Sequence, residues 1–111
     1  MNSVIFIPEV RQYFKDLVPI LYEKGYFSFE DTAHKYVNEL IEDIRVNLPA
    51  KFKREAPEYF TGRYGEGLYY AVFPKSRRTH WYAFFRMYQE NSKLFYQVRF
   101  IANNHTIAQH L

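Results

Sequence analysis

Two arginines, Arg86 and Arg99, sit on neighbouring strand-like runs in the last third of the chain, and His80 and His105 stand on either side of them in sequence. Cleavage of RNA through its own 2′-OH needs a group to take the 2′-OH proton and a group to protonate the leaving 5′-oxygen. It also needs positive charge to hold the developing phosphorane. Arginine suits the last task, because its fork matches phosphate oxygens and never loses its charge. Histidine titrates near neutrality and can serve either proton step. Arg86 and Arg99 are therefore the candidate phosphate clamps, His105 the first acid/base candidate and His80 the second. Lys75, Arg77 and Arg78 crowd one turn beside them, Gln97 accompanies the arginines, and Tyr82 and Phe84 offer rings on which unstacked bases can lie.

Each of these residues also has a plainer reading. The arginines can be solvent-facing strand residues, His105 a turn cap and the basic turn a solvated hairpin tip. The rings can belong to a core. Other chemistries lack a signature. Gly62, Gly65 and Gly67 do not have phosphate-loop spacing, and His34, His80, His105 and His110 form no metal pattern. No Ser–His–Asp arrangement stands out. The chain has no cysteine, which excludes disulfides, thiolate catalysis and Cys-based zinc sites. No cofactor and no metal is expected.

The elements that must position these groups begin with three strand-like runs, Leu68–Phe73, His80–Tyr88 and Leu94–Ile101. A turn at Asn91-Ser92 sets Gln89 opposite Leu94, Arg86 opposite Gln97, Phe85 opposite Val98 and Phe84 opposite Arg99. Alternation then puts Trp81, Ala83, Phe85, Met87, Tyr96, Val98 and Phe100 on an apolar face, joined by Leu68, Tyr70 and Val72. The other face collects Tyr69, Ala71, Phe73, His80, Tyr82, Phe84, Arg86, Phe95, Gln97, Arg99 and Ile101, and is expected to be open.

Upstream, Val4–Ile7 reads as an edge strand. Val10, Tyr13, Phe14, Leu17, Val18 and Leu21 follow helical spacing behind Pro8, with a kink or stop expected at Pro19. Ser28 and Asp31 resemble a capping box before a second helical stripe, Ala33 to Leu48, which Pro49 closes. Residues 50–66 read as a linker with at most a helical turn, and the tail from Asn103 as a brief helix or crossing segment that carries His105 toward the open face.

Length fits one domain over 1–111, and the 48% hydrophobic share permits a packed core. The aromatic share of 21% serves cores and base stacking alike, so it does not choose between them. The net charge of +3 is modest, but it is unevenly placed. Acid gathers in residues 27–43, and the basic groups lie at Lys51, Lys53 and Arg54, in the Lys75–Arg78 turn and at the two strand arginines. That asymmetry suits a polyanion. No apolar run nears the roughly 20 residues of a membrane span, and Met1-Asn2-Ser3 lacks a secretion leader, so a cytoplasmic chain without a membrane partner is expected.

Tyr69-Tyr70-Ala71-Val72-Phe73, Arg77-Arg78-Thr79-His80-Trp81-Tyr82-Ala83-Phe84-Phe85 and Val98-Arg99-Phe100-Ile101, with His105 behind them, resemble the RelE/ParE superfamily of bacterial toxins. The resemblance covers most of the chain outside residues 50–66. It implies an α+β fold, with two N-terminal helices packed on one face of a small, mainly antiparallel sheet. It implies the toxin of a type II toxin–antitoxin system, an endoribonuclease acting on ribosome-bound messenger RNA and silenced by an antitoxin. On this resemblance Arg78 or His80 opens the central strand where the family has a basic residue, Arg86 and Arg99 line the site, and His105 takes the C-terminal position. The chain ends His110-Leu111, without the terminal Tyr of several members. Two rivals stay open: a ParE-like inhibitor of DNA gyrase that performs no chemistry, and a binding module whose ring-rich face docks another protein or a second copy.

Overall fold

The structure, a computed structural model, describes residues 2–111. Its elements are β1 (Asn2–Phe6), α1 (Pro8–Glu23), α2 (Glu30–Asn47), β2 (Arg54–Glu55), α3 (Glu58–Tyr64), β3 (Tyr69–Pro74), β4 (His80–Glu90), β5 (Lys93–Asn103) and α4 (Asn104–Ile107). Single 3-10 turns follow α2 at Leu48–Ala50 and α4 at Ala108–His110. The five strands form one sheet in the order β1-β5-β4-β3-β2. The class is α+β, but the sheet is mixed and not mainly antiparallel: β1 runs parallel to β5, with Val4 beside Tyr96. Turn signals specify hairpins between consecutive strands. They carry nothing about β1, whose partner arrives some 90 residues later, after the helices and the meander.

The helices follow from their apolar spacing. Pro8 occupies the first turn of α1, where its missing N–H costs nothing, and Val10, Phe14, Leu17, Val18 and Leu21 are buried along one stripe. Pro19 neither stops nor ends the helix, which runs on to Glu23. Pro19 and Lys15, whose carbonyl loses its partner there, are both exposed, so water can take the orphaned acceptor. The expected capping box is not formed. Phe29 is the N-cap of α2 and makes no side-chain bond; Glu30 and Asp31 in the first turn oppose the positive end of the helix instead. Ala33, Val37, Leu40 and Ile44 form the buried stripe of α2.

These two stripes share one core with Ala71, Phe73, Trp81, Ala83, Phe85, Tyr96, Val98 and Ile101 of the sheet. The partition of the strands differs from the sequence reading in two places. In β3 the parity is reversed: Tyr69 faces Phe85, Ala71 faces Ala83 and Phe73 faces Trp81, so these residues join the helix side and Leu68 and Tyr70 the other. The length of the basic turn, which pairs Pro74 with His80, sets that parity. In β5 a β-bulge intervenes. Phe85 pairs with Val98 as expected, but Phe84 pairs with Phe100, and Arg99 is the extra residue without a partner. Beyond the bulge Ile101 enters the helix-side core and Phe100 turns away from it.

The second sheet face is not open along its length. Phe60 of α3, Leu68, Phe84, Ala102 and Ile107 form a second buried cluster, with Tyr64, Tyr70, Tyr82 and Phe100 packed around it. Residues 50–66, expected as a linker, supply the edge strand β2 and the helix α3 that cover this face. The tail reinforces the cover: the His110 ring stacks on Tyr59 at 3.5 Å, and the Arg63 guanidinium lies 3.7 Å from the same Tyr59 ring centre.

Candidate functional site

The candidate residues fall into two groups. The first lies where β4 and β5 leave the cover of α3. Arg86 is exposed and stands directly opposite Gln97. Arg99, half-buried on the bulge, donates from Nη1 to Gln97 Oε1 at 3.2 Å, which places both side chains on the same side of the sheet. Gly65 closes α3 beside Arg99: a Cβ at that position would lie 4.0 Å from the Arg99 Cζ. Tyr64 stacks on Phe100 with ring centres 4.3 Å apart. Arg54 lies on the same side of the sheet but on the edge strand β2, two strands from Arg86, where it pairs with Tyr70 across the ladder and its guanidinium lies 5.0 Å from the Phe52 ring centre. Among the described residues the ion pairs are Arg45–Glu42 and Lys75–Asp43, so Arg54, Arg86 and Arg99 present their charge with no carboxylate within 4.0 Å.

The rings expected to stack bases differ in access. Phe84 is fully buried, 4.4 Å from Phe60 and parallel to Phe100 at 5.6 Å, so it belongs to the second core and offers no face to a ligand. Tyr82 is half-buried beside Tyr70, with ring centres 5.9 Å apart. Burial, and then the neighbouring Tyr70, push the Tyr82 hydroxyl up from its ordinary value, so at neutral pH it is an uncharged donor. Tyr64 is likewise raised by burial, against a smaller opposing pull from Arg63.

The second group lies at the other end of β4. The basic turn is tightly built: the N–H groups of Lys75 and Ser76 donate to the Thr79 carbonyl, and Ser76 Oγ accepts from the N–H groups of Arg78 and Thr79. Arg77 and Arg78 extend from it into solvent, while Lys75 is half-buried. The C-terminal segment is fastened to this turn. Asn104 Oδ1 accepts from the His80 N–H at 2.8 Å, and Asn104 Nδ2 donates to the Arg78 carbonyl at 3.1 Å. Asn103 caps α4 by accepting from the His105 N–H, and His105 Nε2 lies 3.1 Å from Thr79 Oγ1. His80 follows strand alternation onto the side opposite Trp81.

The two groups do not meet. Arg86 sits level with Gln97 and Trp81 level with Asn103, so five residue steps along β4 separate Arg86 from the start of the segment that carries His105 by about 17 Å at the usual strand rise. His105 is held at the rim of the turn, on the side of α1, and not over the arginine face as expected. What the arginine face can do is bind and orient a phosphate chain; neither imidazole is in place for a proton transfer there. Sequence reasoning missed α3 and the parts played by Gly65 and the two asparagines, and had Arg54 only as one of a basic cluster. Signals for some of them were present: Pro57 and Glu58 ahead of Phe60 and Tyr64 make a helix start with i, i+4 rings, and Asn103 before a short polar run is a favoured N-cap.

Among the described residues no group of three or more His, Asp or Glu is placed to hold a metal ion, and no helix is long and apolar enough to cross a membrane. No family model, curated protein or solved structure matches the chain.

Proposed function

We propose that the chain is the toxin of a type II toxin–antitoxin pair, a RelE-like endoribonuclease that acts on ribosome-bound messenger RNA in the cytoplasm and is silenced by an antitoxin protein. The observation that carries this reading is the set Arg86, Gln97 and Arg99, gathered on one sheet face with two guanidinium groups free of carboxylates. The element order is compatible with it outside residues 50–66: a short strand and two helices come first and a three-stranded meander last, with β2 and α3 inserted between them. In this reading the arginines hold the phosphodiester and stabilise charge on the phosphorane as the 2′-OH attacks in line, and, with no imidazole in reach, water takes the 2′-OH proton and returns one to the leaving 5′-oxygen. Induced expression without a partner should arrest growth and leave new 5′ ends in messages, and Arg86→Ala with Arg99→Ala should relieve both. If the double variant arrests growth as fast as the parent, the arginine face is not the acting surface.

The separation of His80 and His105 from the arginines favours one second reading, a ParE-like inhibitor of gyrase that performs no chemistry. Induced cells would then show broken DNA and a damage response while their messages stay whole.

A further inference from the structure

A groove of about 380 Å³ lies on the other side of the sheet, between the C-terminal half of α1, the α1–α2 turn, the basic turn and the C-terminal segment. It is distinct from the arginine face, and nothing proposed above uses it. Its inner wall is a fixed aromatic surface. Trp81 Nε1 donates to Tyr36 Oη at 2.8 Å, and Phe27 packs on Tyr36 with ring centres 5.1 Å apart. Tyr13 flanks this wall and Tyr26, 68% exposed, stands at the mouth. Its lining also holds the ammonium-bearing Lys24 and Lys75, and His105, whose Nε2 lies 3.1 Å from the Thr79 hydroxyl, with no Asp or Glu among the lining residues. Lys75 is paired with Asp43 at 4.0 Å, the outer limit of an ion pair, so a phosphate in the groove would have to draw its ammonium off that carboxylate. The His105 side of the lining is preorganised, because Asn104 ties the C-terminal segment to His80 and Arg78, and Thr79 meets His105. The volume falls within the roughly 300–1,000 Å³ usual for small-molecule sites.

We propose that this groove is a binding site for a nucleoside monophosphate, with the base against Tyr13 and Tyr26 and the phosphate on Lys24, Lys75 and His105. Charge decides the class of ligand: cations in the lining with no carboxylate among them favour an anion, and the aromatic wall favours a flat ring attached to it. The Tyr13 hydroxyl, raised by burial, stays an uncharged donor to the base or sugar.

Trp81 is the chain's one tryptophan and lies at the floor of the groove, so its emission reports occupancy. Titration with adenosine 5′-monophosphate should change that emission saturably, and adenosine or inorganic phosphate alone should bind at least about tenfold more weakly, the cost of one lost charge-assisted contact. Lys24→Met with Lys75→Met should weaken the monophosphate by a similar factor or more. Amide shifts on labelled protein should fall on Tyr13, Trp81 and His105, a readout that holds even where the lysine variant folds poorly. The proposal is overturned if the monophosphate binds no better than adenosine, if the lysine variant folds and binds like the parent, or if the shifts fall on Arg86 and Arg99.

Discussion

Replacing Arg86 and Arg99 together with alanine gives the sharpest test of the RNA-contacting surface, because the structure fixes how large the effect must be. Three guanidinium groups, those of Arg54, Arg86 and Arg99, lie on that side with no carboxylate within 4.0 Å. A single-stranded nucleic acid releases counterions with a slope of about 0.7 in log K against log salt for each phosphate neutralised, so three contacts predict a slope near −2. From 50 to 200 mM salt the affinity should then fall about 18-fold, and in the double variant, with Arg54 alone, only about 2.6-fold. Fluorescence polarisation of a labelled, unstructured RNA 12-mer over a KCl series measures both slopes. Arg86 is exposed and Arg99 is bonded only to Gln97, so neither truncation opens a core, and thermal melts should be nearly superimposable. A double variant that keeps the parent's salt slope would refute the assignment, since the contacts would then be made elsewhere, with the Lys75–Arg78 turn the first place to look.

Three further outcomes follow from the packing. Phe60→Ala removes a fully buried ring from the smaller cluster and should cost about 3–5 kcal/mol; hydrogen exchange should show protection lost first across 58–64 while α1 and α2 keep theirs, and a uniform loss would mean the two clusters are one cooperative core. Gly65 has φ +110° and ψ 159°, a region nearly closed to other residues, so Gly65→Ala should cost about 1–3 kcal/mol in a urea melt although no atom would crowd the new methyl; an unchanged midpoint would show that α3 can exit by another path. Burial holds the Tyr13 and Tyr82 hydroxyls above their ordinary value of about 10, so the stability they lend is complete below that pH and is lost as pH rises through their folded-state values. Urea midpoints should therefore fall above pH 10, and Tyr13→Phe should flatten the fall; a variant with the parent's alkaline profile would remove Tyr13 as a cause.

What was legible in the sequence was whatever short-range periodicity encodes. The stripes Val10–Leu21 and Ala33–Ile44 face the core as their spacing requires, and the Asn91-Ser92 turn, where both residues take positive φ, sets Arg86 opposite Gln97. Illegible were features decided by one residue of register or by distant partners. A single extra residue at Arg99 exchanges Phe100 and Ile101 between faces, and nothing in alternating apolar residues on both sides of β5 marks where the bulge must fall. The turn at 75–79 sets the parity of β3 in the same way, since Tyr-Tyr-Ala-Val-Phe is apolar in either phase. The same ambiguity explains the aromatic excess: a strand apolar on both faces needs a cover on both, and α1 and α2 cover only one. Phe60 and Tyr64 of α3 meet that need over Phe84 and Phe100, and α3 ends at Gly65, against Arg99. The covering helix thus stops where the guanidinium groups begin, and the bulge that releases Arg99 from the ladder is also what turns Phe100 under Tyr64. One irregularity in β5 therefore both anchors the cover and leaves the charged group free at its edge, so deleting the bulge should disturb the docking of α3 and the placement of Arg99 together.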